Sequence, residues 1–185
     1  MERTKEEIEK EIIKYLDENC RTESRPGTPC TLATSRDNMP RATPIDFFND
    51  GLTLWMIGDP GGKLADIRSN PNVSVGIYSR TERSTENRYI RLWGKASLLT
   101  YREQKDLFME AITKFGLLDG FKKAVRSGRL EKIPFFESVR GKDFETQLDT
   151  LLNAETMIKV EPEKIVLSIS QPGGIGEKLI WEKEG

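Results

Sequence analysis

The chain has 185 residues, of which 36 % are apolar and 32 % charged, the make-up of one polar globular domain long enough to bury a core. It contains no histidine, which excludes His acid–base chemistry, Ser-His and Cys-His nucleophile pairs, and His-ligated metal or haem. A net charge of −1, with signs mixed along the chain, gives no reason to expect nucleic acid or membrane as a partner. The two cysteines, Cys20 and Cys30, are too few for a closed zinc site and read as reduced thiols of a cytoplasmic protein. The opening MERTKEEIEKE holds no apolar signal core, and no apolar run is long enough for a membrane span. Chemistry without His or a cysteine cluster points to a cofactor.

Thr4 and Glu7 form a capping box that predicts a helix over 4–19, with Ile8, Ile12, Tyr15 and Leu16 on one stripe. Residues 20–29, with Pro26, Gly27 and Pro29, read as a loop. CTLATS (30–35) predicts a strand, Asp37 to Pro40 a turn, and RATPIDFF (41–48) a strand interrupted by Pro44. Proline cannot donate to a ladder, so that strand belongs at an edge, at a bulge or beside a ligand. Asn49-Asp50-Gly51 is a hairpin signal leading into LTLWMIG (52–58). Lys63 to Asn70 reads as a short helix that must stop before Pro71. NVSVGIYS (72–79) is a strand, TERSTENR (81–88) a polar and mobile stretch, and YIRLWGKASLLT (89–100) a long strand. Gly94 marks a bulge or a close approach within it.

Residues 101–153 change to helical spacing, with Leu107, Phe108, Ala111, Ile112 and Phe115, then Phe121 and Val125, then Phe144, Leu148, Leu151 and Leu152. MIKVEPEKIVLSIS (157–170) closes the sheet, and 171–185 reads as a flexible tail carrying Trp181. The order of elements predicts a single domain, mainly β with peripheral helices: a small antiparallel barrel with a helical insertion at 101–153.

Four stretches bear on chemistry. Asp59-Pro60-Gly61-Gly62-Lys63 reads either as a phosphate cradle at a helix start or as a plain Pro-Gly-Gly turn with an exposed lysine. It is not a P-loop, since Ile57 and Leu64 stand where Gly and Ser/Thr are required. Arg41 is either a second phosphate cation or a surface arginine. Thr43-Pro44-Ile45-Asp46 is either a strand edge with free backbone groups for a flat ring or an ordinary edge with a proline. Gly173-Gly174-Ile175-Gly176 lacks the third glycine and the helix of a dinucleotide fingerprint.

Taken in order, TLATS, MPRATPIDF, LTLWMIGDPGGKLADIRSNPNVSV, RYIRLWGKASLL and MIKVEPEKIVLS resemble the pyridoxamine 5′-phosphate oxidase-like family of FMN-binding split β-barrels. The most specific piece is Lys63 followed by Ile67 and Asn70-Pro71, similar to the family's K-x-x-x-L-x-x-N-P helix. The resemblance implies a homodimer holding FMN in grooves between subunits. It places Arg41 and Lys63 on the FMN phosphate, Ala42, Thr43, Pro44, Ile45 and Asp46 along the isoalloxazine ring, and the backbone of Met56 and Ile57 against the flavin. Gly61 and Gly62 fall where the oxidases carry a Ser-Arg pair, their backbone amides standing in for it, and Tyr89 falls where they carry a glutamine. The family's C-terminal Arg-x-His-type motif is missing, so the resemblance stops short of the vitamin substrate. The expectation is an FMN-dependent oxidoreductase of unknown substrate, with no residue labelled catalytic and no metal. The alternatives are a non-catalytic flavin-binding or sensing protein, or a deazaflavin-binding reductase of the same fold.

Overall fold

Thr4 caps the first helix, α1 (Lys5–Asn19), in a computed structural model that describes residues 3–78, 86–170 and 176–184. The Thr4 hydroxyl accepts from the Glu7 amide at 3.2 Å, and the Glu7 carboxylate accepts from the Thr4 amide at 2.8 Å. Ile12, Tyr15 and Leu16 are buried on the predicted stripe.

The next strands are β1 (Cys30–Arg36) and β2 (Met39–Ile45). Asp37 and Asn38 both take positive φ, 52° and 60°, so the hairpin closes on two residues and β2 starts at Met39 rather than Arg41. Pro44 does not interrupt the strand: it pairs with Thr31, and β2 is an outermost strand of the sheet, where a missing donor costs nothing. The break falls instead at Asp46-Phe47, where Phe47 is fully buried and its carbonyl accepts from the Arg21 amide at 2.8 Å. Then come β3 (Phe48–Asp50), β4 (Thr53–Gly58), helix α2 (Gly62–Ser69), β5 (Asn72–Tyr78) and the long β6 (Asn87–Thr100). Of the polar stretch read at 81–88, residues 81–85 lie outside the described residues, and Asn87 and Arg88 open β6.

Three helices follow, α3 (Lys105–Lys114), α4 (Leu117–Arg126) and α5 (Phe144–Ala154), with two 3-10 turns at Leu130–Lys132 and Pro134–Val139. The chain re-enters the sheet as β7 (Thr156–Ser170), and Thr100 faces Thr156 across the ladder. The helical block is therefore an excursion from the tip of the β6–β7 hairpin. Gly94 sits where the β6–β7 register shifts, and a Cβ added there would collide with the Glu161 carbonyl oxygen, so bulge and close approach both hold.

The C-terminal tail is a correction. Glu177–Glu182 forms β8, antiparallel to β7. Leu179 is buried in the barrel core, and the Trp181 indole donates to Glu9 of α1 at 3.0 Å. Burial of these alternate residues against β7 and α1 makes a strand of a segment whose glycines suggest a loose end. Of the predicted tail, 171–175 and 185 lie outside the described residues.

Among the described residues the strands form one eight-stranded antiparallel sheet in the order β2-β1-β5-β6-β7-β4-β3, with β8 also on β7. Its two outermost strands, β2 and β3, are joined by Asp46-Phe47 alone, so the sheet must curl until its margins approach: an open, split β-barrel. The interior is one core of Leu32, Leu54, Met56, Val75, Leu92, Val160 and Ile165 with residues from α1 and α2. A second core joins Leu99 and Met157 to Phe108, Ile112, Phe136 and Leu151 of the helical block.

Candidate functional site

Arg41 and Gly62 meet where α2 begins. The N-cap is Gly61, so no side chain caps the helix, and its first turn has no acidic residue. Among the described residues the amides of Gly62 and Lys63 take no acceptor, while those of Leu64 and Ala65 turn back to the Gly61 carbonyl at 3.2 and 3.4 Å. The Arg41 guanidinium lies over Gly62: a Cβ there would stand 2.5–2.6 Å from it. Glycine at this position is what lets the cation approach the helix start, and nothing lies within 4 Å of where a Gly61 side chain would be.

Asp66 sets the pose of Arg41. Its buried carboxylate accepts from Arg41 Nε at 2.9 Å and from the Thr34 hydroxyl at 3.0 Å, with Arg36 at 3.7 Å. The hydrogen bond from Arg41, with help from Thr34, holds the Asp66 carboxyl below its usual range against the opposing effect of burial. The bond uses Nε, which leaves the terminal guanidinium nitrogens without a partner among the described residues. Sequence reasoning missed Asp66, Thr34 and Arg36. The available signal was an acid on α2 between the inward-facing Leu64 and Ile67, a position that needs a cation from a neighbouring strand.

Lys63 points elsewhere. Its Nζ donates to the Asp59 carbonyl at 3.1 Å, and its charge acts on Glu155, the residue after α5. The Glu155 carboxyl is pushed up to about 7 by burial first, then by Asp59, with Lys63 opposing.

The remaining predicted residues divide in two. Arg41 to Ile45 line the outer strand β2, whose far edge pairs with no strand among the described residues. Arg41, Ala42 and Pro44 are exposed, and Thr43 and Ile45 half-buried. Asp46 lies past the end of β2 in an ion pair with Arg21 at 2.7 Å. Met56 is fully buried in the barrel core and Ile57 packs on the helical block, so both side chains are committed and only their backbone is left to a ligand. That backbone runs beyond the last β3 pairing, Phe48 with Trp55. From Met56 to Lys63 the chain thus runs from a stretch of β4 paired to β7 alone into a bare helix start, and Arg41 reaches that start from β2.

The sequence model of the family described as pyridoxamine 5′-phosphate oxidase matches residues 16–129, well over half of the chain. The chain belongs to that family. The match spans both predicted phosphate cations and the whole of α2. Solved structures agree on the fold. A pyridoxamine 5′-phosphate oxidase-related, FMN binding protein from Nostoc punctiforme is 14 % identical with a TM-score of 0.58, covering 85 % of this chain and 81 % of its own. PhzG from Burkholderia lata, solved with tetrahydrophenazine-1-carboxylic acid, is 15 % identical with a TM-score of 0.56, covering 87 % and 79 %. General stress protein 26 from Bacillus anthracis is 18 % identical with a TM-score of 0.51, covering 88 % and 97 %. No curated protein sequence matches the chain. Among the described residues no helix is long and apolar enough to cross a membrane.

Proposed function

We propose that this chain is an FMN-binding flavoprotein, a homodimeric oxidoreductase of the cytoplasm. The observation that carries the reading is the start of α2, where an uncapped helix, two bare glycines and a guanidinium fixed by Asp66 converge on one point. Free amides, the positive end of a helix and an arginine with open terminal nitrogens are what a phosphate monoester needs. Arg41 and Lys63 hold that phosphate, the amides of Gly61 and Gly62 assist, and lysine has donors enough to keep its bond to Asp59. Ala42, Thr43, Pro44, Ile45 and the Asp46 backbone line the ring, and the β4 backbone at Met56 and Ile57 faces it. When bound, FMN supplies the hydride and electron chemistry, and the chain supplies grip and orientation.

The dimer rests on β2 itself. Its residues are exposed or half-buried on both faces, Met39 is 72 % exposed, and Tyr78 on β5 is 57 % exposed. A bare outer strand with apolar side chains is a surface that a second copy would cover.

The test is the visible spectrum of protein purified without added cofactor, with mass analysis of the released ligand and sedimentation for the assembly. Flavin bands with FMN released from a dimer support the reading. A colourless monomer that takes up no added FMN sinks it, and a bound deazaflavin moves the cofactor assignment.

A further inference from the structure

The helical block forms an open-sided cavity of about 590 Å³ at its contact with the Asp59-Pro60 turn, with the exposed Ile133 and Phe135 in its lining. Phe121, Leu130, Ile133, Phe136, Leu151 and Ala154 supply most of the wall, and the volume is that of a site for one small organic molecule. Glu155 lines the same cavity, and its Oε2 is buried without a hydrogen-bond partner among the described residues. Such an orphan is costly in a native fold and calls for a reason. Its position makes the cost larger. Glu155 follows directly on α5, at the negative end of the helix dipole, and the Asp59 carboxylate lies near enough to oppose its ionisation.

We propose that this cavity binds an aryl-alkyl amine, its ammonium on the Glu155 carboxylate and its ring among Phe121, Phe136 and Leu151. The ammonium supplies the N–H donors that Oε2 lacks, and a second carboxylate at Asp59 favours a cation over an anion. The aromatic wall favours a ring over a bare alkyl chain. The charged groups facing the site are Asp59 and Arg129 on its lining and Lys63 beside it. None of the residues assigned to the flavin lines this cavity, so the inference stands apart from the FMN reading.

The test is calorimetric titration of the purified full chain with 2-phenylethylamine and with its neutral counterpart 2-phenylethanol. The amine is expected to bind more tightly than the alcohol at pH 8. Its affinity should rise about tenfold from pH 6 to pH 8, as a carboxyl titrating at about 7 ionises. Glu155→Gln keeps the shape of the side chain and should weaken the amine at least tenfold, flatten its pH dependence and leave the alcohol unchanged. Ala154→Trp, with an unchanged melting curve as its control, should abolish both. FMN uptake, measured in parallel, should be indifferent to Glu155→Gln. Failure of the amine to bind, equal affinity for amine and alcohol, or an amine affinity untouched by Glu155→Gln overturns the proposal.

Discussion

The barrel and the helical block obey opposite rules of chain proximity. The barrel is built from distant pieces: α1 packs with β8 from the far end of the chain, and β2 and β3 touch in sequence while lying at opposite margins of the sheet. The helical block is local, leaving β6 at Thr100 and returning opposite it at Thr156. They share a wall. On β4, Leu54 and Met56 face the barrel core while Trp55 and Ile57 face the helices, so one strand serves two interiors through its twofold alternation. Helices of ten or eleven residues are marginal alone, so the block leans on the barrel for its stability. The candidate phosphate site belongs to the barrel and the Glu155 cavity to the block, which lets the two be damaged separately.

The strongest way to break this division is Phe108→Ala. Phe108 is fully buried in the helical core, and its loss should cost about 3–5 kcal/mol by calorimetry. FMN affinity of the remaining folded protein should hold. If flavin uptake falls in step with stability, the two regions are not separable in the way their cores suggest.

Next in size are the cations at α2. Arg41→Ala and Lys63→Ala should each weaken FMN by about 1.5–3 kcal/mol, read from quenching of flavin fluorescence. Asp66→Asn should act in the same direction through Arg41, whose Nε it holds. Neither Arg41→Ala nor Asp66→Asn should alter uptake of an amine by the helical block, whereas Lys63→Ala removes a charge that acts on Glu155. Unchanged FMN affinity in both alanine variants removes those residues from the site.

The barrel was largely legible because its signals are local. A capping box, an Asn-Asp-Gly turn and a lysine helix closed by Asn-Pro each announce themselves within a few residues. Gly94 was legible for the same reason, and Gly94→Ala should cost about 1–3 kcal/mol by pressing a methyl group onto the Glu161 carbonyl. An undiminished melting temperature in that variant would show the bulge to be more yielding than its packing implies. What escaped was whatever depends on a distant partner. β8 is a strand because Leu179 and Trp181 find β7 and α1. Asp66 matters because Arg41 and Thr34 arrive from the β1–β2 hairpin. Glu155 reads as a polar residue between a helix and a strand, and only the fold shows that it is half-buried with its Oε2 covered.

Glu155 also gives the smallest and most specific test, because it titrates in a range where Asp66 of the barrel site stays ionised. Its carboxyl is raised from an ordinary 4.5 to about 7, chiefly by burial. The folded chain thus binds a proton that the unfolded chain has released, and stability falls as pH rises between those values. Below the lower value the residue is neutral in both states and costs nothing; above the upper one the full cost of a buried carboxylate applies. Discounted for partial solvent screening, that cost is about 1–2 kcal/mol. Glu155→Gln should therefore match the wild type at pH 4 and exceed it by that amount at pH 8. Asp66 has the opposite sign, since its depressed carboxyl stabilises the fold at neutral pH and loses that contribution only on acidification. A Glu155→Gln difference that is constant with pH would mean that the carboxyl is solvated or paired, and the cavity would then hold no uncompensated charge for a ligand to meet.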